Sequence, residues 1–311
     1  MCRAGSHLKG EEKIMRRNAL FRRRLAERKI IVAPGAYDAM CAKIIEKQGF
    51  EALYMSGAGL SYSLLGKPDI GLLTQTEMAA RAACLSEAVD LPIIADADTG
   101  FGNALNVART VREYERAGVS CIQLEDQVMP KRCGHMSGKA LVSVEEMCAK
   151  IRAACDSRVD EDFCIMARTD AIAVEGYDRA LERAFAYREA GADLLFVEAP
   201  RTEAMMRDLC AALPDCPLLA NMVEGGRTPL FSAPELENMG FRVVIFPGAA
   251  SRVIAFAVNA LMEHIRTHGG TADYLDRMYD FDHLNELLEL EAIRRWEQDH
   301  AEGEKPLFNR G

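Results

Sequence analysis

Eight short apolar stretches, each followed by a segment with helical periodicity, constrain the fold of this 311-residue chain more than any other feature. Apolar runs of roughly four to eight residues between turn-forming residues are typical of buried parallel strands. The stretches occupy residues 30–35, 52–57, 92–98, 121–126, 163–170, 194–199, 218–225 and 243–248. Because parallel strands need helical crossovers, this pattern predicts an α/β fold of the (β/α)₈ TIM-barrel type.

The intervening segments support the barrel over an open doubly wound sheet. In 106–118, 177–191 and 202–213, apolar residues recur three or four positions apart. No GxGxxG motif follows the first stretch, as it would in a dinucleotide-binding sheet. We therefore expect one barrel over residues 15–270.

Two terminal segments are expected to lie outside that barrel. Residues 1–14 are polar, and they are predicted to be disordered or an extension. Residues 271–311 continue the helical pattern beyond what eight units require. They are predicted to form a C-terminal helical segment that packs on the barrel or on a neighbouring subunit.

Charge and composition restrict the partners. The net charge of −9 argues against nucleic acid and anionic membranes, because both bind basic surfaces. No apolar run approaches the roughly 18 residues of a membrane helix. Ten cysteines lack CxxC spacing, which favours a reducing, cytoplasmic setting. The expected partner is a small acid.

Carboxylates gather where the predicted strands end, which is the catalytic face of such barrels. Asp96 and Asp98 alternate along the third strand, so their side chains are expected to point the same way, and Glu125 ends the fourth. Three converging carboxylates repel one another unless a cation neutralises them. Hard oxygen ligands favour Mg²⁺, with Mn²⁺ as the alternative. Other strand-end residues expected in the same cavity are Ser56, Gly57, Ala58, Asp126, Arg168, Thr169, Asp170, Glu198, Asn221 and Glu224.

The segment PKRCGHMSGK, residues 130–139, follows the fourth strand and is predicted to be a mobile loop over the strand ends. It places Lys131, Arg132 and His135 beside Cys133. Neighbouring positive charges lower the pKa of a thiol, so Cys133 is predicted to take part in proton transfer.

These motifs resemble the isocitrate lyase and phosphoenolpyruvate mutase superfamily, in particular its 2,3-dimethylmalate, 2-methylmalate and 2-methylisocitrate lyases. The resemblance extends from about Ile30 to Leu288. The motifs that carry it are KRCGH, ADADTGFGN, QLEDQ, ARTDA, FVEAP and NMVEGGRTP. It implies a Mg²⁺-dependent lyase that breaks a carbon–carbon bond of a 2-hydroxy acid. It also implies a homotetramer whose last helices are exchanged between subunits.

The resemblance assigns roles residue by residue. Asp96 would bind the metal directly or nearly so, with its waters held by Asp69, Asp98 and Glu125. Cys133 would be the general acid that protonates the departing carbanion, helped by Lys131, Gly134 and His135. The substrate would be held by Tyr54, Ser56, Gly57, Ala58, Arg168, Glu198, Asn221 and Arg252. The general base stays open between Tyr54, Glu125 and a metal-bound water.

Three positions bear on which substrate is cleaved. Val223 replaces the hydroxyl residue that binds the third carboxylate in isocitrate and 2-methylisocitrate lyases, which favours a substituted malate. Arg252 instead favours 2-methylisocitrate as the substrate, since methylisocitrate lyases carry a cation at that position. Pro247 replaces the serine of oxaloacetate-hydrolysing relatives, although oxaloacetate decarboxylation stays open.

Two further alternatives differ in class. A phosphonate-pathway mutase is disfavoured because such mutases lack a thiol at the position of Cys133. A catalytically silent binding barrel would be expected to have lost one of the key residues. All of them are present.

Overall fold

Eight parallel strands close into a barrel in the order β1 to β8, as the alternating pattern predicts. The computed structural model describes residues 2–134, 136 and 138–300, with the backbone alone for 2–11. The strands are β1 Ile31–Ala36, β2 Leu53–Met55, β3 Ile93–Asp96, β4 Cys121–Glu125, β5 Cys164–Thr169, β6 Leu194–Val197, β7 Leu218–Asn221 and β8 Val243–Phe246. Ile31 of β1 pairs with Val243 of β8, which closes the barrel.

Helices precede, separate and follow the strands along the chain. They are α1 Cys2–Ala26, α2 Ala39–Lys47, α3 Gly57–Leu60, α4 Gln75–Ala88, α5 Ala104–Arg116, α6 Val144–Ser157, α7 Tyr177–Glu189, α8 Glu203–Ala212, α9 Ala233–Met239, α10 Ala249–His268, α11 Phe281–Leu287 and α12 Leu290–His300. Single turns of other helix types occupy Ser61–Leu65, Ala171–Ala173 and Leu275–Arg277.

The sequence explains why these helices form where they do. In α5 the buried residues Val107, Val111 and Tyr114 recur at helical spacing and cover the strands. A capping box begins α4, where Thr74 and Glu77 exchange hydrogen bonds with each other's backbone and satisfy amide groups that the first turn leaves unpaired.

The core lies inside the barrel and positions the site. Side chains such as Ile94, Met166, Phe196 and Ile245 are almost completely buried there. Tyr54, Phe196 and Ile245 also line the cavity at the carboxyl ends of the strands. The packed interior thus forms the rigid floor of that cavity.

The ends of the chain differ from the sequence-based boundaries. The extension over residues 1–14 is helical from Cys2, because α1 continues upstream of the apolar periodicity on which the boundary was based. The chain divides into two compact units at residue 252, within α10. No residue of α10 is fully buried. The predicted C-terminal helical pattern is broken into α11 and α12 at Glu289, whose φ is 60°.

Candidate active site

A cavity of about 270 Å³ opens where the strands end. The predicted site residues that line it are Tyr54, Ser56, Ala58, Asp69, Asp96, Cys133, Gly134, Arg168, Glu198, Asn221 and Arg252. Four other predicted site residues do not line the cavity but contact residues that do, as described below. They are Gly57, Asp98, Glu125 and Lys131. His135 lies outside the described residues.

The carboxylates come together through a bend that sequence reasoning missed. β3 ends at Asp96, and Asp98 follows with a left-handed φ of 46°. The argument from strand alternation was therefore wrong, although both side chains do reach the site. The Asp98 amide donates to Asp96 Oδ1 at 3.0 Å. Gly57 is required nearby, because a Cβ there would lie 2.5 Å from Asp96 Oδ2.

Lys131 joins the carboxylate group from the loop after β4. Its Nζ lies 2.6 Å from Asp69 Oδ1 and 2.9 Å from Asp98 Oδ1, and its side chain is 3% exposed. Burial raises the pKa of Asp98 to about 6 against the opposing charge of Lys131, and Asp96 and Asp69 reinforce that rise. Lys131 thus anchors the loop to the acidic side of the cavity. The predicted effect of Lys131, Arg132 and His135 on the pKa of Cys133 stays a prediction.

Glu125 is the residue whose surroundings most clearly call for a partner. It is 1% exposed, and neither carboxylate oxygen accepts a hydrogen bond from the described residues. Arg168 Nη1 lies 3.4 Å from its Oε2. Burial raises its pKa well above the ordinary carboxyl range, although Arg168 opposes that rise. Buried oxygens without donors fit a cation or its bound water.

The carboxylates are spaced for an ion that keeps water. Among the described residues, no three of Asp69, Asp96, Asp98 and Glu125 bring their ligand oxygens within 4.8 Å of one another. Mg²⁺ usually takes one or two protein carboxylates and keeps several waters. The fit to Mg²⁺ therefore depends on the all-oxygen donor set and on the buried Glu125 oxygens that accept no hydrogen bond from the described residues.

Arg168 is the cationic centre of the opposite wall. Its Nε and Nη2 donate to the two carboxylate oxygens of Asp170 at 2.9 and 3.1 Å. Glu198 Oε2 lies 3.3 Å from Nη2. The guanidinium carbon lies 4.9 Å from the centre of the Phe196 ring. These contacts fix the orientation of the guanidinium toward the cavity.

The loop that carries Cys133 is held at several points. The Gln127 side chain accepts from the Arg132 amide at 2.9 Å and donates to its carbonyl at 2.8 Å. The Cys133 amide donates to the carbonyl of Asp69 at 3.1 Å. Lys139 Nζ donates to the carbonyl of Gly134 and to Asp170 Oδ1, the latter at 2.7 Å. Sequence reasoning missed Lys139, because nothing in its spacing identified Asp170 as its partner.

Tyr54 and Ser56 are held by internal hydrogen bonds. Tyr54 Oη donates to Gln123 Oε1 at 2.9 Å, and Gln123 Nε2 donates to Asp96 Oδ1 at 3.3 Å. Burial, with help from Asp96, raises the pKa of Tyr54 well above its usual value. A phenol in this position stays protonated and is a poor base. Ser56 Oγ accepts from the Gly59 amide at 3.1 Å and caps α3.

The remaining wall carries the residues that bear on specificity. Asn221 Nδ2 donates to Glu198 Oε2 at 3.1 Å. Val223 and Pro247 present apolar surface to the cavity. Arg252 also lines the cavity, and its Nη1 donates to the backbone carbonyl of Glu224.

Asp126, next to Glu125, has a structural function. Its carboxylate accepts from Thr169 Oγ1 at 2.7 Å, Tyr187 Oη at 2.8 Å and the Asp170 amide at 3.0 Å. These three donors satisfy the Asp126 carboxylate, whereas the Glu125 oxygens accept no hydrogen bond from the described residues, which separates the roles of the two residues.

None of the described helices has the length and apolarity needed to cross a membrane.

Comparison with known proteins agrees with this geometry. A family model described as phosphoenolpyruvate phosphomutase matches residues 21–266. The chain is 54% identical over 285 residues to 2,3-dimethylmalate lyase of Eubacterium barkeri, covering 92% of this chain and 98% of that protein. It is 46% identical over 283 residues to the probable 2-methylisocitrate lyase 1 of Corynebacterium glutamicum, covering 91% and 92%.

Solved structures give the same result. A crystal structure of 2,3-dimethylmalate lyase, a PEP mutase/isocitrate lyase superfamily member, matches with a TM-score of 0.89 and 38% identity. It covers 94% of this chain and 97% of that one. Phosphonopyruvate hydrolase in complex with oxalate and Mg²⁺ matches with a TM-score of 0.84 and 31% identity, covering 92% and 99%.

Proposed function

This chain belongs to the phosphoenolpyruvate phosphomutase family, within the PEP mutase/isocitrate lyase superfamily, and from this premise we propose that it cleaves 2,3-dimethylmalate or 2-methylmalate. The products would be pyruvate and a short carboxylic acid. The relatives from Eubacterium barkeri and Corynebacterium glutamicum are lyases, and the chain is a carbon–carbon lyase of this superfamily. The choice of substrate and the roles of individual residues are the proposal.

One observation carries the choice of substrate. The small cavity has Cys133 and Arg168 on its polar walls, while Val223 and Pro247 supply apolar surface. An apolar wall suits the methyl groups of a substituted malate. It offers no hydrogen bond to an additional carboxylate, whose burial without a donor is costly.

The metal site is proposed at the carboxylates that line or adjoin the cavity. Asp96 would bind Mg²⁺, and Asp69, Asp98 and Glu125 would hold its water ligands. The bound ion would supply a positive charge that polarises the hydroxyl and carboxylate of the substrate. The match to a hydrolase crystallised with Mg²⁺ supports this choice, and Mn²⁺ is the alternative.

The chain's own groups would move the protons. Glu125 takes the proton of the 2-hydroxyl, because its carboxylate oxygens accept no hydrogen bond from the described residues, whereas burial keeps the phenol of Tyr54 protonated. The bond between C2 and C3 breaks, C2 becomes the ketone of pyruvate, and the electron pair stays on C3. The thiol of Cys133 then delivers its proton to C3. Arg168 holds the substrate oxygens during these steps.

Other residues bind and enclose the substrate. Backbone and side-chain groups of Ser56, Gly57 and Ala58 are proposed to hold the 2-oxo acid part. Glu198 and Asn221 orient the other half. Lys131 and His135 assist on the loop, which shields the carbanion from water.

The second candidate is 2-methylisocitrate cleavage, and the position of Arg252 favours it. That guanidinium lines the cavity and carries the charge that a third carboxylate would need. It already donates to the carbonyl of Glu224, so it would have to exchange this partner for the substrate. We therefore rank this reaction behind cleavage of a substituted malate.

Assembly and location complete the proposal. The apolar side chains of Phe281 and Trp296 are 80% and 65% exposed, which supports a homotetramer with exchanged terminal helices. A cytoplasmic location fits the cysteine-rich composition without disulfides among the described residues.

Release of pyruvate tests the proposed reaction. The assay couples pyruvate to NADH oxidation by lactate dehydrogenase, with 2,3-dimethylmalate, 2-methylmalate, 2-methylisocitrate and oxaloacetate as separate substrates. We expect pyruvate from a substituted malate with Mg²⁺ present, loss of activity in EDTA and recovery when Mg²⁺ is restored. Pyruvate from oxaloacetate alone would mean decarboxylation, and activity that survives exhaustive chelation would refute the metal site.

A further inference from the structure

A group of metal-ligating side chains lies in the unit formed by residues 253–311, separate from the carboxylates described above. His264 and His268 are one helical turn apart near the end of α10, so both project from the same face. The chain then reverses, with the Tyr274 amide donating to the Thr271 carbonyl at 3.0 Å. This reversal brings Asp273 back to the two histidines.

The ligand atoms of these three side chains are close together. One ligand atom from each of His264, His268 and Asp273 lies within 4.8 Å of the others. His264 Nε2 is 2.8 Å from Asp273 Oδ1. Among the described histidine, cysteine, aspartate and glutamate residues, only these three form a group whose ligand atoms all lie within that distance.

A hydrogen bond fixes the tautomer of one histidine. Nδ1 of His268 lies 3.1 Å from the carbonyl oxygen of His264. A carbonyl only accepts, so this nitrogen carries the proton and Nε2 of His268 keeps its lone pair. The same arrangement, with one ring nitrogen on a carbonyl and the other on a metal, is usual for histidine ligands.

The surroundings hold the rings in place and favour positive charge. The two imidazoles stack with centroids 4.3 Å apart, and the ring of Tyr274, which is 8% exposed, lies 4.8 Å from that of His264. The carbonyls at the end of a helix carry partial negative charge, which stabilises a cation near the last turn.

We propose that His264, His268 and Asp273 form a second metal site, which takes a divalent transition cation such as Zn²⁺. Two imidazole nitrogens and one carboxylate select a borderline cation over Mg²⁺, which prefers oxygen ligands. Neighbouring ligands of tetrahedral zinc lie roughly 3.3 Å apart. The contact between His264 and Asp273 must therefore widen slightly, which is easy because the Asp273 side chain is 67% exposed. Water completes the coordination.

The experiment titrates the full-length, Mg²⁺-loaded protein with Co²⁺, a spectroscopic substitute for Zn²⁺. Visible bands report tetrahedral or five-coordinate binding, and near-ultraviolet charge-transfer bands report any thiolate ligand from the cysteines. We expect one Co²⁺ per chain with visible bands and without thiolate bands. His268→Gln and Asp273→Asn should each weaken this binding by roughly tenfold or more.

His283→Gln is the matched control. His283 pairs with Asp280 at 2.7 Å in the same way that His264 pairs with Asp273, but it belongs to no group of three among the described residues. The control should bind Co²⁺ like the wild type. Equal binding by the wild type and both ligand variants, or binding that gives thiolate bands alone, would overturn the proposal. His268 is exposed, so its substitution should leave the fold intact. A far-ultraviolet CD spectrum of each variant checks that it is folded.

Discussion

Cys133 combines the two properties that a general acid for carbon needs in this cavity. It lies on the cavity wall, and its thiol gives up a proton to a carbanion more readily than a hydroxyl group does. Tyr54 shares that wall, yet burial raises the pKa of its phenol and makes it the weaker acid. Burial as well as position therefore explains why Cys133, and not Tyr54, is proposed as the general acid.

Replacing Cys133 by serine tests this role. A serine hydroxyl is a far weaker acid than a thiol, so kcat is expected to fall roughly 10²- to 10⁴-fold while KM changes little. Steady-state pyruvate release measures both constants. Cys84→Ser, at an exposed cysteine, is the control and should behave as the wild type. Turnover by the Cys133 variant within a few-fold of normal would refute the general-acid role.

Lys139 is expected to stabilise the fold as well as the loop. Its side chain is 1% exposed and pairs with the fully buried Asp170. Removing one hydrogen-bond partner of a buried group costs about 1–3 kcal/mol, and Asp170 keeps Arg168, so Lys139→Met should lower the free energy of unfolding by that order at pH 7. Denaturant unfolding, monitored by CD, gives this value.

The dependence of this effect on pH follows from Asp170. Burial opposes ionisation of Asp170, but the charges of Arg168 and Lys139 outweigh it and lower its pKa below 3.8. A carboxyl with a depressed pKa stabilises the fold above its unfolded pKa and loses that effect as pH falls through the folded one. The difference between wild type and Lys139→Met should therefore shrink below about pH 4. Arg116→Met, in an exposed pair with Glu113, is the control and should change stability little. If Lys139→Met is as stable as Arg116→Met, the buried pair of Lys139 and Asp170 contributes nothing to stability.

At the scale of elements, the loop from Gln127 to Leu141 connects the two walls of the cavity. Its ends form a short antiparallel pair, in which the Val128 amide donates to the Ala140 carbonyl at 2.8 Å. Lys131 binds the carboxylate side, and Gly134 lies against Arg168. The sequence predicted a loop over the strand ends because it is rich in glycine and cations. The pairing of its ends was not predictable, since it joins residues far apart along a segment without strand periodicity.

Gly134→Ala tests whether this close approach matters. A Cβ there would lie 2.4 Å from Arg168 Nη2 and 2.7 Å from Glu198 Cδ, so the loop or the arginine must move. A displacement of catalytic groups by about 1 Å can lower the reaction rate on the order of 100-fold. We therefore expect kcat/KM to fall by about that factor without a change in thermal stability. Gly270→Ala, where a Cβ meets open space, is the control. Wild-type kcat/KM in Gly134→Ala would show that the loop need not approach Arg168.

At the scale of the whole molecule, the order of the strands was predictable and the exact site was not. Eight apolar runs, six of them with polar residues near their ends, were enough to predict the barrel and to bring most candidate residues to one face. Asp126 and Glu125 were indistinguishable in sequence, and only the direction of their side chains separates a structural carboxylate from one in the site. The division at residue 252 depends on contacts between distant elements, which periodicity does not record.

The most direct test of the account compares kcat/KM for 2,3-dimethylmalate and 2-methylisocitrate, in the wild type and in Val223→Ser. The wild type should prefer 2,3-dimethylmalate by roughly tenfold to a hundredfold, because a buried carboxylate without a donor costs about 1–3 kcal/mol. Val223→Ser should narrow that preference, whereas Val159→Ser, at a residue 84% exposed, should leave it unchanged. Faster cleavage of 2-methylisocitrate by the wild type would contradict the account and assign the third carboxylate to Arg252.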